Sequence, residues 1–271
     1  MSLKIILPPD MVEVKQVPVY NLDGSIAGSV QLPLIFSYPV RKDLIRRAFI
    51  SAFTGRLQPK GRDPLAGKRR TGESWGINYG LARVPRLDNG RAVIAPMTRG
   101  GRLAHPPRVN EKIRELINKK EKALAIISAL AATSNPAIVR MRGHIVNYEA
   151  LPVIITDEFE DLTITSEAKK VLKALKLWDD IVRAGESIRI RAGKGKMRGR
   201  KYKGSKSVLA IISNKDAKVI KALRNLPGVD VVSPDMLNIK HLAPGGVPGR
   251  LTIITLKALD ILGKKYEVLT F

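Results

Sequence analysis

The chain has 271 residues, 44% of them hydrophobic, and carries 48 Lys and Arg against 24 Asp and Glu, a formal charge of +24. That is enough apolar material for one real core or two small ones and excludes a fully disordered chain, while the charge excess points to an anionic partner. With no cysteine in the chain, disulfides, thiolate catalysis and thiolate zinc sites are excluded.

In chain order, residues 1–9 offer only Ile5, Ile6 and Leu7 as an apolar run, and the longest later stretch, 123–132, is interrupted by Ser128. Neither a signal peptide nor a membrane span is expected, and the default reading is a soluble, intracellular protein. Residues 16–20 and 25–30 flank Asp23-Gly24, a pair that tolerates positive φ, and predict a hairpin. Over 41–54, Leu44, Ile45, Ala48, Phe49 and Ala52 recur at helical spacing, with Gly55 placed to close the helix in a left-handed cap. Further on, Asn118 and Glu121 resemble a capping pair ahead of a helix whose buried stripe is Leu124, Ile127 and Leu130.

The text then alternates. Residues 152–156 read as a strand and 165–181 as one helix with Ala168, Val171, Leu172 and Leu175 inward. Residues 207–213 read as a strand apolar on both faces, as a central parallel strand between helices would be. A helix over 216–226, a strand over 229–232, a short helix over 235–241 and a strand over 251–255 follow. This pattern predicts an α/β fold, an open and mainly parallel three-layer sandwich. The chain is one globular domain, 1–271, with residues 55–109 inserted between two helices as a long extended loop.

The charge excess is local. Residues 55–109 hold 12 basic and 3 acidic side chains, and 189–206 hold 9 basic and none acidic. Two concentrated blocks make a directional field, for which a polyphosphate is the simplest partner. The longer block has 9 Gly and 6 Pro and no sustained period, so it does not build its own core and is expected to take its order from a partner. A floppy linker is the bland alternative, but linkers seldom place Trp75, Ile77, Tyr79 and Leu81 among arginines. The cations Arg56, Arg62, Lys68, Arg69, Arg70, Arg83, Arg86, Arg91, Arg99 and Arg102 can neutralise phosphates over a long path, and glycine lets the backbone come close. Trp75 and Tyr79 offer faces on which unpaired bases stack, or else brace a local turn. In the second block, Lys194, Lys196, Arg198, Arg200, Lys201 and Tyr202 alternate with small residues. A solvated charge run is the alternative to phosphate contact there.

Catalytic chemistry finds little support. Residues 61–69 resemble a phosphate loop but have the wrong glycine spacing, and Arg69 stands where the metal-binding hydroxyl belongs. Gly193, Gly195 and Gly199 miss the dinucleotide fingerprint by one residue. His105, His144 and His241 lack metal-ligand spacing and read as surface or stacking groups. Asp157, Glu158, Glu160 and Asp161 read as charges at the start of the following helix, and 242–250 as a surface turn or a backbone wrap for a small ligand. No cofactor and no metal are expected.

Several runs together resemble one family. Ala66-Gly67, Thr71-Gly72-Glu73-Ser74-Trp75-Gly76, Ala82-Arg83-Val84-Pro85-Arg86, Arg99-Gly100-Gly101-Arg102, Arg142-Gly143-His144 and Gly199-Arg200-Lys201-Tyr202 are similar to large-subunit ribosomal protein four of the universal family, in its archaeal and eukaryotic branch. Residues 128–133 and 242–251 continue the match. The resemblance implies a non-enzymatic structural protein of the large ribosomal subunit that binds 23S-type ribosomal RNA and supports assembly. Its partners would be that RNA, neighbouring large-subunit proteins and, at the loop tip, the nascent polypeptide in the exit tunnel. Carried onto this chain, the tip falls at 74–89, with Ser74, Trp75, Tyr79, Arg83 and Arg86 on the tunnel side. Asn78-Tyr79 depart from the Gly-Arg pair common in that family. The rival function is an RNA-modifying enzyme with a cofactor at the sheet edge, supported by fold analogy alone.

Overall fold

The computed structural model describes residues 5–7, 14–266 and 268–270. Most of the 1–9 stretch that bears on a signal peptide lies outside the described residues. Contacts divide the chain into two compact units, one of Met1–Phe53 with Leu116–Phe271, the other of Thr54–Glu115.

In the larger unit, β1 (Ile5–Leu7) pairs in parallel with β10 (Val268–Thr270). The main sheet uses β2 (Gln16–Tyr20), β3 (Ile26–Gln31), β4 (Val153–Ile155), β7 (Leu209–Ile211), β8 (Asp230–Val232) and β9 (Thr252–Thr255), in the order β3-β2-β4-β9-β7-β8. Only β2–β3 is antiparallel, turning at Gly24 with φ 81°. The mainly parallel α/β sandwich is as expected. The period-two alternation of the central strands sorts their side chains into two cores. Ile154, Leu209, Ile211 and Ile254 face one core, packed by α1 (Lys42–Thr54), α2 (Lys119–Thr133) and α8 (Leu256–Lys265). Val153, Ile155, Ala210 and Ile253 face the other, packed by α4 (Thr165–Ala174), α5 (Trp178–Glu186) and α6 (Val219–Arg224). Two short helices, α3 (Pro136–Met141) and α7 (Ile239–Leu242), complete this unit. Among the described residues, no helix is long and apolar enough to cross a membrane.

Several expected elements need correction. The helix over 165–181 is two helices. Leu177 N–H donates to Leu172 O and Lys176 N–H to Lys173 O, both at 2.9 Å, and Lys176 sits at φ 48°. This is a left-handed helix stop built on lysine instead of glycine, so no breaker residue announces it. The helix over 216–226 shrinks to α6, because the Asn214 side chain accepts the Asp216 N–H at 3.2 Å and holds the chain in a turn. The helix over 235–241 shifts to α7, since Asn238 is extended at φ −131°. Helix α1 ends in a turn, with Leu57 N–H donating to Thr54 O at 3.1 Å, and Gly55 supplies no left-handed cap.

Asn118 does cap α2, accepting Lys120 N–H at 3.0 Å, but Glu121 does not reach back; it pairs with Arg47 at 3.3 Å. Instead of one stripe, α2 is buried nearly all round from Ala123 to Thr133, with Leu124 only half-buried. Its many alanines let neighbouring chain approach closely. Ser128 is satisfied there, accepting Arg41 N–H at 2.6 Å and donating to Pro39 O at 2.9 Å. Helices α3 and α8 were not expected from the sequence.

Candidate nucleic-acid interface

The longer basic block lies in the unit Thr54–Glu115, which contains no helix or strand beyond α1's last residue. It is ordered by chain folding back on chain. Glu73 and Arg86 exchange backbone hydrogen bonds at 3.2 and 2.9 Å, and Val93 N–H donates to Pro85 O at 2.9 Å. Val93, 4% exposed, is the one fully enclosed hydrophobic side chain that these returns cover. Two glycines make the returns possible: a Cβ on Gly101 would lie 2.1 Å from Ala95 O, and one on Gly67 would lie 2.5 Å from Gly101 O. Arg62 N–H donates to Pro107 O at 3.2 Å and Glu115 N–H to Thr54 Oγ1 at 3.1 Å, tying outgoing and returning chain near the base.

The tip is a sequence of left-handed residues, Gly76, Asn78 and Gly80, at φ 86°, 71° and 66°. Asparagine is among the few side chains that accept this conformation readily. Trp75 meets Tyr79 edge-on with ring centroids 6.2 Å apart, and its ring also packs beside Gly90. Both rings remain exposed. Arg86 is held within the tip: Nη1 donates to Gly90 O at 2.8 Å and Nη2 to Ala82 O at 3.3 Å. Its neighbour Arg83 is exposed. Arg69 pairs with Asp63, whose carboxyl is held below the usual range by that bond and by Leu65 N–H. Arg91 donates to Arg99 O at 3.2 Å. Arg56, Arg62, Lys68, Arg69, Arg70, Arg91 and Arg99 present exposed side chains, whereas Arg102 is half-buried.

The second block is a small hairpin that the alternation of basic and small residues did not reveal. Strands β5 (Arg189–Ile190) and β6 (Tyr202–Lys203) pair antiparallel, with Ile190 opposite Tyr202. A 3-10 turn, Lys194–Arg198, forms its end and closes on Gly199 at φ 70°. Arg191 N–H donates to Lys201 O and its Nε to Arg200 O, at 2.8 and 3.0 Å. Lys194, Lys196, Arg198, Arg200, Lys201 and Tyr202 are all exposed, and Lys201 Nζ lies 5.4 Å from the Tyr202 ring centroid.

The roots of this hairpin are fixed by buried charges that sequence reasoning passed over. Arg250 is fully buried; it donates to the carbonyls of Ser207, His241, Val208 and Gly228 and pairs with Asp230 at 2.7 Å. Lys206 pairs with the same carboxylate at 2.8 Å. Burial opposes the Asp230 charge, but Arg250 and Lys206 outweigh it and hold its pKa below the usual carboxylate range. Beside it, Asp180 accepts from Arg183 Nε at 2.9 Å and Ile145 N–H at 3.0 Å, and lies 3.0 Å from His144 Nδ1; Arg183 also donates to Lys206 O at 3.0 Å. Burial pushes the His144 pKa down.

His144 is thus a buried partner of a carboxylate and not a surface group, while His241 accepts Asn238 N–H at 3.3 Å at the start of α7. Nor do the acidic residues serve the start of α4. Asp157 accepts Lys257 N–H at 2.9 Å at the start of α8, and Glu160 accepts from Ser213 and from Thr255 Oγ1 across the ends of β7 and β9. The 242–250 stretch is largely buried and ends in Arg250, so it is no surface turn. The signal available for these clusters was weak: Arg142-Gly143-His144 and Arg250 stood in recognised runs, but nothing in their spacing gave the carboxylate partners at 180 and 230.

Two exposed cationic segments, one ordered by glycine returns and the other anchored by ion pairs at its root, mark an α/β protein with locally concentrated positive charge. The chain matches the ribosomal protein L4/L1 family over residues 30–265 and belongs to it. Large ribosomal subunit protein uL4 of Sulfurisphaera tokodaii is 53% identical over 94% of this chain and 96% of its own length. The proteins of the same name from Aeropyrum pernix and Saccharolobus solfataricus are 52% and 54% identical, over 95% and 93% of this chain and 96% and 95% of their own.

Proposed function

We propose that this chain is a non-enzymatic structural constituent of the large ribosomal subunit that acts in ribosomes in the cytoplasm. It binds 23S-type ribosomal RNA through residues 55–109 and through the hairpin around Lys194–Arg198, supports subunit assembly, and brings the 74–89 tip to the polypeptide exit tunnel. Its partners are that RNA, neighbouring large-subunit proteins and the nascent chain at the tip. The observation that carries this reading is the concentration of cations in two exposed segments of a chain whose relatives are named as large-subunit proteins.

The physical division of labour is phosphate neutralisation by the exposed Arg and Lys, with Trp75, Tyr79 and Tyr202 offering faces to unpaired bases at about 1–3 kcal/mol per stacked base. Arg86 shapes the tip by holding its carbonyls, leaving Arg83 as the cation that the tip presents. Competition decides the reading: labelled large-subunit RNA bound to the full chain should resist excess duplex DNA. Equal displacement by duplex DNA would make the chain a nonspecific polyanion binder and refute the proposal.

A further inference from the structure

The larger unit holds a cavity of about 490 Å³ between α1, α3 and the 245–248 loop. Its cations are Lys42 and Arg46 from α1 and Arg142 from the end of α3. No carboxylate among the described residues pairs with any of the three; the acids along α1's flank are engaged elsewhere, Asp43 with Arg41 at 2.6 Å and Glu121 with Arg47. Arg142, which lines the cavity, donates Nη2 to Pro244 O at 2.7 Å and Nη1 to Val247 O, which fixes the guanidinium against the 244–247 loop. Burial, with Arg250 and Arg183 nearby, pushes its pKa down to about 10.

The rest of the lining is apolar and open. Met141 is 81% exposed and Val247 54%, and a Cβ on Gly245 would meet nothing within 4 Å. An apolar floor under an uncompensated cationic rim, in a cavity of ligand size, fits an aromatic base joined to phosphate. An acidic peptide would satisfy the cations but leave the floor bare. We propose that this cavity receives one unstacked nucleotide of the bound RNA, its base against Met141, Val247 and Arg142 and its phosphates on Lys42 and Arg46. The proposal rests on the RNA-binding reading above and adds a third, pocket-like contact to it.

The test uses the full chain and a large-subunit RNA transcript carrying 4-thiouridine. Lys42→Gln with Arg46→Gln should weaken binding about five- to tenfold and lower the salt slope by about 1.4, the share of two single-strand phosphates. Val247→Trp, which fills an exposed position, should weaken binding several-fold with the slope unchanged. Near-ultraviolet crosslinking should mark peptides containing Met141 or Val247 in the original chain and lose that mark in Val247→Trp, with matching circular dichroism confirming that each variant folds. Wild-type affinity in these variants overturns the pocket, as do crosslinks confined to 55–109 and 189–206 or a charge effect without a Val247 effect. Failure of the original chain to prefer the transcript over duplex DNA instead overturns the RNA reading itself.

Discussion

Arg250 shows how one side chain can hold several segments at once. Its guanidinium serves four carbonyls and Asp230 with no exposure to water. Removing it leaves several buried carbonyls without a donor and Asp230 with Lys206 as its remaining cation, so Arg250→Met should cost about 3 kcal/mol in denaturant unfolding; an unchanged midpoint would refute the clamp. The histidines set a pH dependence of definite sign. His144 and His241 are pushed below 6.5 by burial, so the unfolded chain takes up their protons first as pH falls. Their contribution is complete above that value and is lost as pH drops from it through the depressed folded values. Melting temperature should therefore decline from about pH 7 to pH 5, and more shallowly once both histidines are replaced by glutamine. Against the opposing effect of burial, hydrogen bonds from His144 and Arg183 hold Asp180 low and Arg250 and Lys206 hold Asp230 low, so both add their loss only at more acidic pH, below 3.8.

Elements were legible in proportion to how locally their cause was written. The β2–β3 turn, the parallel strands and α1 follow from Asp-Gly chemistry and from hydrophobic period, and the structure has them within a residue or two. The α4–α5 break was not legible, because its left-handed residue is Lys176 and what holds it there is burial of Leu175 and Leu177 against the second core. Lys176→Gly should relieve that conformation and stabilise the unit by up to about 1 kcal/mol, read as a raised melting temperature; a lower one would mean the lysine stem contributes more than its backbone costs. The second basic block reads as phosphate-contacting cations alternating with small residues, and its hairpin was not legible because Ile190 and Tyr202 pair across a separation too long for a hydrophobic pattern to connect. Its cations could be read from sequence, but its ion-paired roots depend on tertiary neighbours.

For the molecule as a whole, the extended main-sheet core and its packed helices lie in the larger unit, whereas the longer basic block lies in the unit Thr54–Glu115. Deleting residues 74–89 should leave thermal unfolding of the larger unit unchanged by circular dichroism while weakening binding to large-subunit RNA. Unfolding of the remainder would place that stretch in the core. Replacing Arg83 and Arg99 by glutamine should likewise leave the melt unchanged and reduce the salt slope by about 1.4.

The hydrogen bond between Glu115 and Thr54 brings the outgoing and incoming strands of the insertion together at one point. Between those two residues the chain makes one closed excursion, Thr54–Glu115. Doubling its length would raise the closure cost by only about 0.6 kcal/mol. The insertion can therefore be exchanged between relatives, shortened or extended as a cassette, and chimaeras joined at this neck should keep the scaffold's melting behaviour while taking on the donor's RNA contacts.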